Sequence, residues 1–148
     1  MLGLQALEKT GKPKDGGEVL PSRQTGNERR TILVIDDEVA LLAIIADVLE
    51  ENGFIVLTVA DGPAGLELLR SDRAIDLLIT DIRLPKGMNG REVAEAARMT
   101  RPDLKVLLMT GYAGSALDGG PLAGGMEVMT KPFNLIRLAD RVTRLIES

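Results

Sequence analysis

Three aspartates, a threonine and a lysine stand out because each closes or directly follows a short aliphatic run. Asp36 and Asp37 follow "TILVI", Asp81 follows "LLIT", Thr110 ends "LKVLLMT", and Lys131 follows "MEVMT". Two adjacent like charges at the end of a buried-looking run are costly unless a cation neutralises them. If the runs are neighbouring strands, three carboxylates, a hydroxyl and an ammonium converge at one rim. The carboxylates would make a hard, oxygen-rich site for Mg2+, or Mn2+, which keeps several waters and accepts a phosphate oxygen. With such a cation, Asp81 has the chemistry of a phosphoryl-accepting nucleophile. Lys131 would neutralise charge on the phosphoryl oxygens, and the Thr110 hydroxyl would donate a hydrogen bond to one of them. Capping of a helix N-terminus accounts for one acid of the Asp36-Asp37 pair but does not require two.

The elements that must bring these residues together follow from periodicity. Buried-strand patterns cover Thr31 to Ile35, Phe54 to Val59, Ile75 to Thr80, Leu104 to Thr110 and Met126 to Met129. Helical patterns cover Glu38 to Asn52, Pro63 to Ser71, Gly90 to Thr100 and Asn134 to Glu147, with a weak one around Ala113 to Leu117. Gly53 is placed to end the first helix in a left-handed conformation, and Pro63 to open the second. Strict alternation predicts one parallel sheet with helices on both faces, and such sheets collect their chemistry at the carboxyl ends of the strands.

Composition limits the alternatives. The chain has 148 residues, no cysteine and no histidine, so it carries no disulfide, thiolate site, Ser-His-Asp triad or histidine-ligated metal. With one tyrosine, two phenylalanines and no tryptophan, the core must be aliphatic. No apolar run approaches the ~18 residues of a membrane span, so a cytoplasmic location is expected. Residues 1–30 hold six of the 18 Lys and Arg and four of the 22 Asp and Glu, which leaves residues 31–148 acidic. An acidic domain with three rings is a poor fit to nucleic acid. Residues 1–30, rich in Gly, Pro and Lys, read as a disordered tail or linker, and residues 31–148 as the folded domain with no output domain after its last helix.

In the order "VIDDE", "LLITDIRLP", "LLMTGYA" and "MTKPF", the chain resembles the receiver domain of two-component response regulators over roughly residues 31–147. The resemblance implies a flavodoxin-like (βα)5 fold, a doubly wound parallel sheet in three layers. It also implies that a histidine kinase or histidine phosphotransfer protein donates a phosphoryl group to Asp81. Asp36, Asp37, Asp81 and the Arg83 backbone carbonyl would hold Mg2+, Lys131-Pro132 would be a cis peptide, and Thr110 would shift toward the new phosphoryl group to alter affinity for a downstream protein target. "GMNG" together with "TGYA" resembles receivers attached to hybrid histidine kinases.

Departures from the family pattern carry expectations of their own. "DIRLPKGMNG" has one residue more than the usual spacing between the acceptor and the glycine, here Gly90. Val128 stands where relatives carry a ring that reports the threonine's movement. The glycine-rich stretch from Gly111 to Gly125 should shorten the fourth helix or leave it mobile. In the first helix, Leu41, Ile44, Ile45, Val48 and Leu49 are assigned to the core. Val39, Leu42, Ala43 and Ala46 are assigned to a second apolar stripe that a partner could dock on. Arg83 and Tyr112 are expected to flank the path of water to the phosphoryl group and slow its loss. A Mg2+-dependent phosphohydrolase acting through an aspartyl-phosphate is the rival reading; Arg83 stands where it would need a second acid.

Overall fold

The computed structural model describes residues 29–111 and 120–148, and the expectations for residues 1–28, for Tyr112 and for a helix near Ala113 to Leu117 lie outside these. Five strands, β1 (Thr31–Ile35), β2 (Ile55–Val59), β3 (Leu77–Asp81), β4 (Lys105–Thr110) and β5 (Met126–Thr130), alternate with helices. The helices are α1 (Val39–Glu51) after β1, α2 (Gly62–Leu69) after β2, α3 (Gly90–Arg98) after β3 and α4 (Leu135–Glu147) after β5. All strand pairs are parallel, in the order β2-β1-β3-β4-β5. This is the doubly wound flavodoxin-like sheet in three layers.

Strand alternation divides the core in two. Leu33, Ile35, Leu78, Val106 and Leu108 face α2 and α3, where Leu66, Leu69, Val93, Ala94 and Ala97 pack on them. Ile32, Val34, Leu77, Ile79, Leu107 and Met109 face α1 and α4, against Leu42, Ile45, Leu49, Leu138, Val142 and Leu145. Each fully buried Leu or Ile contributes about 1.5–3 kcal/mol, so the two-sided burial of β1, β3 and β4 anchors the strand ends firmly. Among the described residues, no helix is long and apolar enough to cross a membrane.

Helix α1 departs from expectation. Leu42, assigned to a solvent-facing stripe, is buried with Ile45 and Leu49, whereas Ile44, assigned to the core, is 46% exposed. The helix is apolar almost all round, so its sequence allows two faces, and docking against β1 and α4 selects the one through Leu42. No solvent-facing docking stripe therefore runs through Leu42.

Local signals set the other termini. Gly53 has φ +93° and ends α1 as expected. The Asp61 carboxylate accepts from the Ala64 N–H and caps α2 with Pro63 in its first turn. Asn89 and Glu92 form a reciprocal capping box on α3. The loop after β3 passes through consecutive left-handed residues, Lys86 at φ +69° and Gly87 at φ +79°. Lys86 Nζ reaches back to Asp61 at 3.2 Å, which ties this loop to the start of α2.

Candidate functional site

Strand register builds the site. Ile35 pairs with Thr80, so Asp36 leaves β1 beside Asp81. Asp81 pairs with Met109, which puts Thr110 one step further along the same edge. Thr110 pairs with Thr130, and Lys131 follows; its N–H donates to the Thr110 carbonyl at 2.7 Å. Residues distant in sequence are thus adjacent because four strands end at one level.

The side chains converge as their positions demand. Lys131 Nζ donates to Asp81 Oδ2 at 3.1 Å and to Asp36 Oδ2 at 3.2 Å. Glu38 Oε1 lies 4.0 Å from the same ammonium. Asp36 is fully buried, and its second oxygen accepts from the Glu38 N–H at 2.8 Å. Neither Asp36 nor Asp37 is the cap of α1: that position is Glu38, whose side chain makes no capping bond. Asp36, Asp37 and Asp81 each offer an oxygen, all within 4.8 Å of one another. Three carboxylates with hard oxygen donors, one buried and one open to solvent, suit a small divalent cation.

The electrostatics are those of charges held out of water. Burial raises the Asp81 carboxyl above its ordinary value, and the negative charge of Asp36 adds to this; hydrogen bonds from Lys131 and the Arg83 N–H act in the opposite direction without cancelling it. For Lys131, burial favours the neutral amine. The Asp81 hydrogen bond and the charges of Asp36 and Asp81 outweigh it, and the ammonium is held above its ordinary value.

Beside this rim lies an open cleft of about 920 Å3 lined by Asp37, Asp81, Arg83, Pro85 and Asn89, among others. Arg83 is exposed in this cleft. Thr110 is buried at the end of β4, and Val128 on β5 packs against the α2/α3 side of the core. Two side chains near the site escaped the sequence reading. Glu38, the third acid of "DDE", joins the Lys131 network and could have been suspected from that triplet. Arg91 is buried, with its guanidinium on the Gly120 and Pro121 carbonyls at 2.7 and 3.0 Å; an arginine two residues into a helix gives no signal of this in the sequence.

Comparison with known proteins agrees with the geometry. The response regulator receiver domain model matches residues 32–143. The transcriptional regulatory protein CpxR of Escherichia coli is 36% identical over 117 residues, covering 78% of this chain and 48% of CpxR, so the chain spans about half the length of that relative. A response regulator receiver protein from Sinorhizobium medicae superposes with a TM-score of 0.75 at 32% identity, over 82% of this chain and 97% of that one. The response regulator TrrA of Thermotoga maritima, solved in complex with Mg2+ and BeF, superposes with a TM-score of 0.66 at 30% identity, over 78% of this chain and 98% of that one. By its fold, its matched residues and its relatives, this chain belongs to the response regulator receiver domain family of two-component signalling.

Proposed function

We propose that Asp81 is the phosphoacceptor of this receiver, loaded from the phosphohistidine of a histidine kinase or histidine phosphotransfer protein. The observation that carries the reading is the Lys131 ammonium, shared between Asp81 and the buried Asp36 beside a third carboxylate, Asp37. Asp36, Asp37, Asp81 and the Arg83 carbonyl would hold Mg2+. When bound, the cation supplies positive charge against the phosphoryl oxygens and the acid cluster.

The chain's own residues do the rest. An Asp81 carboxylate oxygen attacks phosphorus and forms an acyl phosphate. The bond from phosphorus to the donor imidazole breaks, and its electron pair stays on the imidazole nitrogen. Lys131 keeps its proton and stays cationic throughout, because the surrounding acids hold its pKa up. It therefore pairs with phosphoryl oxygens as a fixed charge. Thr110, one step along the edge, donates its hydroxyl to the product. Nothing in this set activates a leaving group, so the donor must bring its own reactive bond, and the protein catalyses at most its own phosphorylation and dephosphorylation.

A protein donor fits the surface beside the rim. Val39 is 71% exposed in the first turn of α1 and Ile136 is 73% exposed in the first turn of α4. These apolar side chains flank the segments that carry Asp36, Asp37 and Lys131. The proposed setting is the cytoplasm, with a downstream protein as the reader of the phosphorylated state. The test is covalent: acetyl phosphate with Mg2+ should add one phosphoryl group, and a chromogenic phosphoester should not be turned over. Turnover of the ester would favour the phosphohydrolase instead.

A further inference from the structure

Asp81 closes β3 and pairs with Met109 on β4, one residue beyond the last pairing with β1. Strand β1 pairs with β3 as far as Ile35 and Thr80. Just past β1, the Asp36 N–H donates to the Val59 carbonyl on β2. The Asp81 carbonyl, one residue past the pairing with β1, accepts from Thr80 Oγ1 at 2.9 Å. Thr80 is fully buried. At the other end of the same peptide unit, the Ile82 N–H donates to the Met109 carbonyl at 3.0 Å. The peptide joining Asp81 to Ile82 is therefore held at both ends, by a side chain on one side and by β4 on the other.

Gly90 closes the third direction. Its N–H donates to the Ile82 carbonyl at 2.8 Å. A Cβ there would run into the Asp81 carbonyl and come within 2.9 Å of Thr80 Oγ1. Only downstream of this junction does the chain present the Arg83 N–H to the Asp81 carboxylate. A tilt of the peptide would displace that donor, and the Arg83 carbonyl with it, from the acceptor side chain.

We propose that Thr80 is a positioning residue for phosphoryl transfer: its buried hydroxyl fixes the Asp81–Ile82 peptide and so aims the acceptor carboxylate and the loop that completes the cation site. The inference rests on the reading of Asp81 as phosphoacceptor. Thr80 touches neither the phosphoryl group nor the cation, and acts through Asp81. Valine at this position keeps the shape and removes the donor, while serine keeps the donor and removes a methyl group. The two substitutions separate hydrogen bonding from packing.

The experiment compares wild type, Thr80→Val and Thr80→Ser in the full chain. Intact mass gives the rate of phosphorylation by acetyl phosphate at saturating Mg2+, and calorimetry gives the Mg2+ dissociation constant. Thr80→Val is expected to be phosphorylated at least tenfold more slowly and to bind Mg2+ at least threefold more weakly. Thr80→Ser should stay within twofold of wild type in both. Equal rates and affinities in wild type and Thr80→Val overturn the proposal, as does a serine variant as impaired as valine, because packing would then be responsible. Should Thr80→Val not fold, Thr80→Ala takes its place against Thr80→Ser with the same expectations. A wild-type protein that gains no mass overturns the acceptor reading instead, and the Mg2+ affinities then decide on Thr80 alone.

Discussion

The Lys131 ammonium lies 3.1 Å from an Asp81 carboxylate oxygen although fifty residues separate them. It also bonds the fully buried Asp36, so one cation offsets two acids that would otherwise repel across the strand ends. Removing it leaves the buried Asp36 charge without its counter-ion. Lys131→Met should lower the stability of the metal-free protein by about 3 kcal/mol, and added Mg2+ should restore part of the loss. Urea denaturation with and without Mg2+ measures both quantities; a variant as stable as wild type without metal would contradict the assignment.

On α1, the buried face runs through Leu42 and not through Ile44. Leu42→Ala should cost about 2–4 kcal/mol. Ile44→Ala should cost less than about 1 kcal/mol, because half its surface is already in water. Thermal or chemical denaturation of the pair gives the ranking directly, and the reverse order would place the helix in the other rotation.

Close approach of α3 to β3 makes Gly90 a sensitive position. Alanine there meets the Asp81 carbonyl, which is backbone and cannot swing aside. Gly90→Ala should lose about 2 kcal/mol or more. Gly124, where an added Cβ would meet nothing within 4 Å, should accept alanine within about 0.5 kcal/mol. Equal midpoints for the two variants in denaturant would show that the loop relaxes freely.

Asp61 carries the pH dependence that the structure makes explicit. The Ala64 N–H, first, and then Lys86 hold its carboxyl below the ordinary carboxylate value. A carboxyl with a depressed folded-state pKa contributes stability that is fully present above its unfolded value, near pH ~3.9, and is lost as pH falls through the lower folded value. Asp61→Asn, which keeps a capping oxygen and removes the charge, should be less stable than wild type at neutral pH. The difference should close on acidification below that range. Parallel stability curves across the acid range would mean that the charge contributes nothing.

Much of this was legible in the sequence because it depended on period and order. The aliphatic runs at Ile32, Leu77 and Leu107 are buried on both faces and therefore read unambiguously as central strands, and the polar residue after each had one edge to go to. Asp36, Asp81, Thr110 and Lys131 met there because the register is that of a parallel sheet. The rotation of α1 was not legible, since "VALLAIIADVLEE" presents apolar residues on nearly every side and only the neighbours β1 and α4 choose between Leu42 and Ile44. Nor could spacing reveal that Lys86 and Gly87 take left-handed conformations in the loop after β3, or that the guanidinium groups of Arg91, Arg98 and Arg101 satisfy the main-chain carbonyls of Gly120, Gly124 and Ser71, all distant in sequence. Such contacts depend on where loops end after folding, which no local pattern encodes.

Whether Asp81 accepts the phosphoryl group is tested most directly by intact-mass spectrometry after incubation with acetyl phosphate and Mg2+. Wild type should gain one phosphoryl mass of ~80 Da, and Asp81→Asn should gain none while remaining folded. Equal gain in both proteins would place the phosphoryl group on another residue, and no gain in either would contradict the account.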